Sequence, residues 1–158
     1  VYSGLYFIAV GDCSLLEKAI KLLQHEGVGT DRNIGNGYFT YTKDTISIDL
    51  PSDPNCMMSL SMFIPESKAQ LLELLSGENV AYDFTRRGGW ITTPPHNTIR
   101  KNVIHAFLPA SSFSFSISEP KVLGKIVDLK PDMDFKGFPP INHPIWRNGK
   151  SIFIPTKL

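Results

Sequence analysis

The chain has 158 residues, of which 42% are apolar and 20% charged, with a formal net charge of +1, so we expect one globular core and too little material for two. No apolar run approaches the ~18 residues of a membrane-spanning helix, and no charged leader precedes an apolar stretch, so we expect a soluble, cytoplasmic protein without membrane partners. Cys13 and Cys56 are too few for a disulfide framework and lack the paired spacing of a zinc site. Because Val1 is not a Met, we also expect a piece of a longer protein.

The beginning of the chain predicts a strand, a helix and further β structure. Residues 4–10 are wholly apolar, which is typical of a strand covered on both faces. Ser14 and Glu17 have the spacing of a capping box, and the apolar stripe that follows predicts a helix ending at Gly27. The composition of residues 38–50 predicts one strand or a hairpin.

A second strand, helix and strand follow. Alternating apolar residues over 58–64 predict a strand with one apolar face. Ser67 and Gln70 predict another capped helix, which Gly77 ends, and Val80 begins the next strand. The order βαββαβ is that of a ferredoxin-like α+β sandwich.

The rest of the chain predicts a β-rich extension of that core. The segment 131–144 is dense in Pro and Gly, so we expect an ordered loop lying over the core. We therefore predict a single domain over 1–158, with a ferredoxin-like core over about 1–92 and a β-rich extension with long Pro/Gly-rich loops over about 93–158. The predicted strands of the extension are 103–108, 113–117, 122–128 and 151–154.

Charge is unevenly distributed along the chain. Residues 1–85 carry 5 Lys/Arg and 11 Asp/Glu, a net charge of −6, whereas residues 86–158 carry 11 and 4, a net charge of +7. The cations of the second half are interleaved with aromatic residues. This pattern is typical of a surface that binds a phosphate-bearing partner, and equally of a solvated surface whose charges only keep the domain soluble.

The loop 27–37 has four glycines in two G-x-G pairs, placed between a helix end and a predicted strand. Glycine allows positive φ and leaves backbone N–H groups accessible, while Arg32, Thr30 and Asn33 can bind phosphate or sugar oxygens. The order is the reverse of a dinucleotide fingerprint, and no Gly-Lys-Ser/Thr sequence follows. A helix stop followed by a tight entry into a hairpin is the alternative interpretation.

The string GVGTDRNIGNGYF at this place resembles the glycine-rich loop of the RAMP superfamily of CRISPR RNA-binding proteins. Three further blocks, YDFTRRGGWI, TIRKNVIHAFLPASSF and INHPIWRNGKSIFIP, resemble in the same order the C-terminal half of the fourth subunit of the Csm complex, the type III-A CRISPR effector of antiviral defence. The family pattern has Gly-Ser before the aromatic residue where this chain has Ala110-Ser111-Ser112-Phe113.

The resemblance implies a non-catalytic subunit with a ferredoxin-like fold that holds the 5′ tag of the CRISPR RNA. Its implied partners are the large polymerase-like subunit and a neighbouring backbone subunit, with no cofactor. Single-stranded RNA with unstacked bases would suit aromatic platforms such as Phe113 or Trp90, although an aromatic residue at such a position more often belongs to the core. The implied RNA-binding residues are Gly27, Gly29, Arg32, Asn33, Gly35 and Gly37, followed by Arg86, Arg87, Arg100, Lys101, Ser111 and Ser112.

Two other functions remain open on the sequence. Some RAMP proteins cleave RNA without metal by using a histidine as general acid or base, and this chain has His25, His96, His105 and His143, none of them paired at catalytic spacing. A module that only contacts other subunits is the second alternative. The Asp residues at 128, 132 and 134 lack the pattern of a calcium loop, so we expect no metal site.

Overall fold

The computed structural model describes residues 4–29, 32–114, 117–132 and 137–158, which divide by their contacts into two compact units, 1–47 and 48–158. The first unit contains α1 (Ser14–Glu26) and a 3₁₀ turn at Arg32–Ile34. The second contains α2 (Lys68–Leu75) and eight described strands: β1 (Cys56–Ser59), β2 (Phe84–Arg87), β3 (Ile104–Phe107), β4 (Ser112–Phe113), β5 (Lys121–Leu123), β6 (Ile126–Asp128), β7 (Trp146–Asn148) and β8 (Ser151–Thr156).

The second unit is organised around a four-stranded antiparallel sheet in the order β4-β1-β8-β5. Two antiparallel pairs, β2 with β3 and β6 with β7, complete its described strands. The register of the large sheet sets Met57 opposite Phe113 on one side and Pro155 on the other. Strands far apart in the chain are thus adjacent in space, which requires the intervening segments to fold back across the domain.

Aromatic rings fill the core beneath this sheet. Phe63, Phe113 and Phe153 are fully buried, and the rings of Phe63 and Phe153 meet edge to face with centroids 4.9 Å apart. Phe107 packs edge to face on Phe113 at 5.2 Å and exchanges both backbone hydrogen bonds with Phe63. Such aromatic pairs each add about 0.5–1.5 kcal/mol beyond the burial of their area. The core therefore anchors β3, and with it one end of the β2–β3 pair.

Helix α2 covers the aromatic core, as its apolar periodicity predicts. Leu74 is buried, and Leu71 and Leu75 are partly buried against the same cluster. The Ser67 side chain accepts a hydrogen bond from the Gln70 N–H at 3.1 Å, so the predicted cap is confirmed.

Helix α1 ends where it is predicted to end, before Gly27, but it has a different N-terminal cap. The capping residue is Cys13, and the Asp12 carboxylate accepts a hydrogen bond from the Ser14 N–H at 2.9 Å. The predicted capping box of Ser14 and Glu17 is therefore wrong, because the helix begins one residue earlier than the pattern places it and Ser14 lies inside its first turn.

The strands predicted over residues 4–10 and 38–50 do not form in the described part of the chain. Residues 4–10 and 38–50 have no strand assignment, and Leu5, Tyr6 and Phe7 are exposed, as are most apolar side chains of α1. An apolar run becomes a strand only where a neighbouring chain supplies hydrogen bonds, and no described residue pairs with either segment. Lys43 forms an ion pair with Glu17 of α1.

The predicted α+β class is confirmed, since a few helices accompany antiparallel sheets. The βαββαβ order of a ferredoxin-like core is not confirmed: the four-stranded sheet combines β1, before residue 92, with β4, β5 and β8, after it. The predicted strand 122–128 divides into β5 and β6, because Gly124 has φ = +105° between them. Residues 115–116 of a predicted strand and 133–136 of the predicted loop lie outside the described residues.

No helix in the described parts of the chain has the length and apolar character needed to cross a membrane.

Candidate nucleic-acid interface

Glycine is required where the backbones at the two ends of the loop 27–37 come into contact. Gly27 ends α1 at φ = +79°, with its N–H donating to the Leu23 carbonyl oxygen at 2.8 Å. The Val28 N–H donates to the Gly37 carbonyl oxygen at 2.9 Å, which closes the loop. Gly37 has φ = +87°, and a Cβ there would collide with the Val28 carbonyl oxygen and lie 2.8 Å from its nitrogen. We call residues 27, 28 and 37 the neck of the loop.

The tip of the loop, beyond the neck, is open at the two glycines that the structure describes there. Residues Arg32–Ile34 form a 3₁₀ turn, which the Gly35 N–H closes by donating to the Arg32 carbonyl oxygen at 3.1 Å. Gly29 and Gly35 have φ of +110° and +85°, and a Cβ on either would meet nothing within 4 Å. Another chain can therefore approach the backbone there, unlike at the neck. The candidate Thr30 lies outside the described residues, as does residue 31.

Polar groups at the tip are available to a ligand. The side chains of Arg32 and Asn33 are exposed, and their backbone N–H groups donate to no described residue. The described residues form two ion pairs, Lys43 with Glu17 and Lys157 with Asp53. The Arg32 guanidinium is therefore in no ion pair with a described residue. The amides of Gly27, Val28 and Gly35, by contrast, are already bound within the chain. The tip thus combines a cation with free amide donors, which is the chemistry that binds phosphate oxygens.

The second group of candidates lies on a long antiparallel hairpin, residues 84–107. Strand β2 pairs with β3 so that Arg86 is opposite His105 and Arg87 opposite Ile104. The ladder continues beyond these strands, where Trp90 pairs with Arg100 and the Ile91 N–H donates to the Ile99 carbonyl oxygen at 2.9 Å.

The register of the hairpin changes by one residue between these two stretches, which makes a bulge. Asn102 and Val103 together oppose Gly88. Asn102 turns outward, so that its backbone N–H donates to the Leu129 carbonyl oxygen and its side-chain amide to the Lys130 carbonyl oxygen, each at 2.9 Å. The bulge therefore ties the hairpin to the segment that follows β6.

One face of the hairpin presents cations and aromatic rings, and we call it the outer face. Alternation and cross-strand pairing place five exposed side chains there, together with Phe107, which lies opposite Phe84 and is buried in the core. Phe84 is 59% exposed and Trp90 51% exposed. The Arg100 guanidinium carbon lies 4.6 Å from the Trp90 ring centroid, which is a cation–π contact. The residues of the outer face are Phe84, Arg86, Trp90, Arg100 and His105.

The opposite face of the hairpin is largely buried. Ile91, Ile99 and Ala106 are at most 4% exposed. Two more of the predicted cations belong by alternation to this opposite face, with Arg87 exposed and Lys101 half-buried. The tertiary structure therefore places Arg86, Arg87, Arg100 and Lys101, which the sequence presents as two separate pairs, on one hairpin, with two cations on each face.

The remaining candidates, Ser111 and Ser112, lie inside the fold at 3% and 5% exposure. The Ser111 hydroxyl donates to the Leu108 carbonyl oxygen at 2.7 Å, and that of Ser112 lies 3.2 Å from the Ala81 nitrogen. Phe113 is fully buried among the core rings and offers no platform for a base. These residues lie inward because β4 pairs with β1 on one edge and with Ala81 on the other, so we leave them out of the interface.

The histidines are dispersed and have no catalytic arrangement in the described parts of the chain. His96 is 7% exposed, and its Nε2 donates to the Pro139 carbonyl oxygen at 2.7 Å. The exposed His25 and His143 approach only a neighbouring Gln24 amide and the Pro144 carbonyl oxygen, and His105 faces the Phe84 ring at 6.1 Å. No three His, Cys, Asp or Glu side chains among the described residues group closely enough to hold a metal ion.

Two structural residues near the interface carry no recognisable signal in the sequence. The Asp128 carboxylate accepts hydrogen bonds from the Ile145 N–H at 2.7 Å and the Lys130 N–H at 2.9 Å, and these bonds lower the pKa of that carboxyl. They hold the segment to which Asn102 is bound. Ala110 has φ = +67°, a left-handed backbone conformation that is unfavourable for alanine, directly before Ser111 and Ser112.

Comparison with protein families gives a match that covers a large part of the chain. The model of the CRISPR Csm4 C-terminal domain matches residues 52–156, which span the second unit, including the hairpin and the four-stranded sheet. A search of curated proteins finds no match. Because the family model covers about two thirds of the chain, the chain belongs to the family of the CRISPR Csm4 C-terminal domain and is part of a subunit of a type III CRISPR effector.

Proposed function

We propose that this chain is a non-catalytic RNA-binding part of a type III-A CRISPR effector and that it holds the 5′ tag of the CRISPR RNA. The observation that carries the proposal is the loop 27–37, whose neck closes on itself and whose described tip residues offer the Arg32 side chain, free amides and two open glycine positions. Its sequence resembles the RAMP glycine-rich loop, and the family match places the chain in such an effector. The large polymerase-like subunit and a backbone subunit are the proposed protein partners.

Single-stranded RNA suits this tip better than a small anion does. Successive backbone amides and one guanidinium bind phosphate oxygens along a strand, and side-chain-free positions at 29 and 35 let the sugar–phosphate backbone come close. Charge-assisted hydrogen bonds contribute about 1.5–3 kcal/mol each. Loss of Arg32 should therefore weaken binding by about tenfold or more.

The test is filter binding of CRISPR RNA, with and without its 5′ tag, to the assembled effector carrying Arg32→Ala. We expect the variant to lose affinity for tagged RNA and to lose little affinity for tagless RNA. The slope of log K against log[salt] for tagged RNA should become shallower by about 0.7, because one phosphate contact is lost. Arg32→Lys keeps the charge and should lose less. The control, Lys18→Ala, removes one exposed cation from α1 and should bind as the parent does. Equal retention of Arg32→Ala and parent would remove the loop from RNA binding.

The two other functions give different results in companion assays. Repeat RNA incubated with the effector and EDTA should stay intact, and cleavage that disappears in His25→Ala or His143→Ala would identify a ribonuclease instead. Ribonuclease treatment before pull-down addresses the protein-contact alternative. If the loop variants detach from other subunits with RNA already removed, the loop contacts protein and the proposal is wrong.

A further inference from the structure

We propose that the outer face of the hairpin 84–107 binds unpaired bases of the RNA by stacking, as a site separate from the loop 27–37. The inference rests on the proposed function in that it takes the CRISPR RNA as the ligand. It adds the mode of binding: base faces on the Phe84 ring and on the Trp90–Arg100 pair, with phosphates on the hairpin cations.

Charge favours a polyanion as the occupant of this surface. Residues 84–107 contain four Lys or Arg and no Asp or Glu. The ion pairs of the described residues lie elsewhere, at Lys43 with Glu17 and Lys157 with Asp53, so the hairpin cations are unneutralised. Four positive charges on one hairpin, two of them on the outer face, raise the local concentration of an anionic chain and disfavour a basic protein surface.

The exposed aromatic rings favour unpaired bases over a duplex. A site for phosphates alone needs only the cations. Phe84 and Trp90 nonetheless lie on the same face, and each is more than half exposed. Stacking of a base on an aromatic side chain contributes about 1–3 kcal/mol and requires a free base face, which the interior of a duplex does not offer. The two rings are six residues apart on one strand, about 20 Å at the rise of an extended chain, so they would bind different bases.

Trp90 is already prepared for stacking by its neighbour across the hairpin. The Arg100 guanidinium lies over one side of the indole at 4.6 Å, which fixes the orientation of both groups. A base can therefore stack on the outer plane of the guanidinium or on the open indole surface. Phe84 meets the ring of His105 at 68° between the ring planes, edge to face. Since Phe107, its cross-strand partner, is held in the core, the strand carrying Phe84 is firmly positioned.

The experiment scans 2-aminopurine, whose fluorescence falls when it stacks, along the CRISPR RNA of the assembled effector. We expect the emission of 2-aminopurine to be quenched at one nucleotide position or more in the parent complex. At such a position the emission should be several-fold higher with Phe84→Leu and low again with Phe84→Trp. RNA affinity should fall on the order of tenfold with Phe84→Leu. Trp146→Leu is the matched control, because Trp146 is a 65% exposed aromatic residue outside the hairpin, and it should change neither readout. Arg86→Gln leaves every ring in place, so it should lower the RNA affinity and its salt dependence while the 2-aminopurine emission of the bound RNA stays as in the parent.

The outcomes separate this inference from the proposed function. If Arg32→Ala releases the tag but Phe84→Leu changes the emission at no nucleotide, the stacking site is wrong and the tag-binding function stands. If tagged and tagless RNA bind the parent equally while Phe84→Leu restores emission at a quenched nucleotide, the tag function is wrong and the stacking site stands. Loss of a protein subunit from the Phe84→Leu complex with unchanged 2-aminopurine emission would show a protein interface and overturn the inference.

Discussion

Replacing Gly37 by Ala tests whether the neck gives the loop its function. At φ = +87° an alanine costs about 1–2 kcal/mol. The added Cβ also collides with Val28, so the neck must open and lose the Val28–Gly37 hydrogen bond, a net contribution of about 1 kcal/mol. We expect Gly37→Ala to destabilise the closed loop by about 2–3 kcal/mol. Gly35→Ala, with similar φ and open space around it, should destabilise it by only about 1–2 kcal/mol.

Hydrogen exchange of the Val28 amide measures this difference directly. That amide donates to the Gly37 carbonyl oxygen in the closed neck, so opening exposes it. Its protection should fall by about thirtyfold or more in Gly37→Ala and by less in Gly35→Ala. Tagged RNA should bind Gly37→Ala about fivefold more weakly than it binds Gly35→Ala, from the difference of about 1 kcal/mol. A Val28 amide equally protected in Gly37→Ala and the parent would refute the steric argument.

Two further substitutions test the framework that supports the hairpin. Ala110→Gly should stabilise the chain by about 1 kcal/mol, because φ = +67° is strained for alanine and not for glycine, and a lower urea midpoint would contradict this. Two backbone N–H donors lower the pKa of Asp128 in the folded chain, so its contribution is present at neutral pH and is lost as the pH falls through the folded pKa, below about pH 4. Asp128→Asn should therefore make the unfolding free energy fall less steeply with decreasing pH below about pH 4. An unchanged slope of the unfolding free energy against pH would show that this carboxylate does not contribute to acid sensitivity.

The apolar side chains of the first unit explain why prediction there was only partly correct. The α1 pattern of Leu15, Leu16, Leu22 and Leu23 predicted the helix, whose hydrogen bonds are all local. The same kind of reasoning predicted a strand at 4–10, but a strand obtains its hydrogen bonds from another segment. Within the described residues no such segment pairs with it, and its side chains remain exposed.

The candidate site shows the same division between local and long-range information. The glycines of the loop 27–37 were recognisable because their function at the neck and tip is set by backbone torsions of adjacent residues. The hairpin cations were recognisable as charges, but their assembly on one hairpin depends on β2 pairing with β3 and on the bulge at Asn102. Ser112 looked equally polar in the sequence, yet pairing on both of its edges places it in the core.

Local interactions thus allowed the sequence alone to determine the two helices, the α+β class, the glycine-rich loop and the basic second half of this protein. Tertiary structure decided which strands are neighbours, where Gly124 divides β5 from β6, and that Ala110 takes a left-handed turn. It also decided that Trp90 faces outward while Phe113 is buried among other rings. The physical reason is that pairing and burial depend on residues as far apart as Met57 and Pro155, which no window along the chain contains.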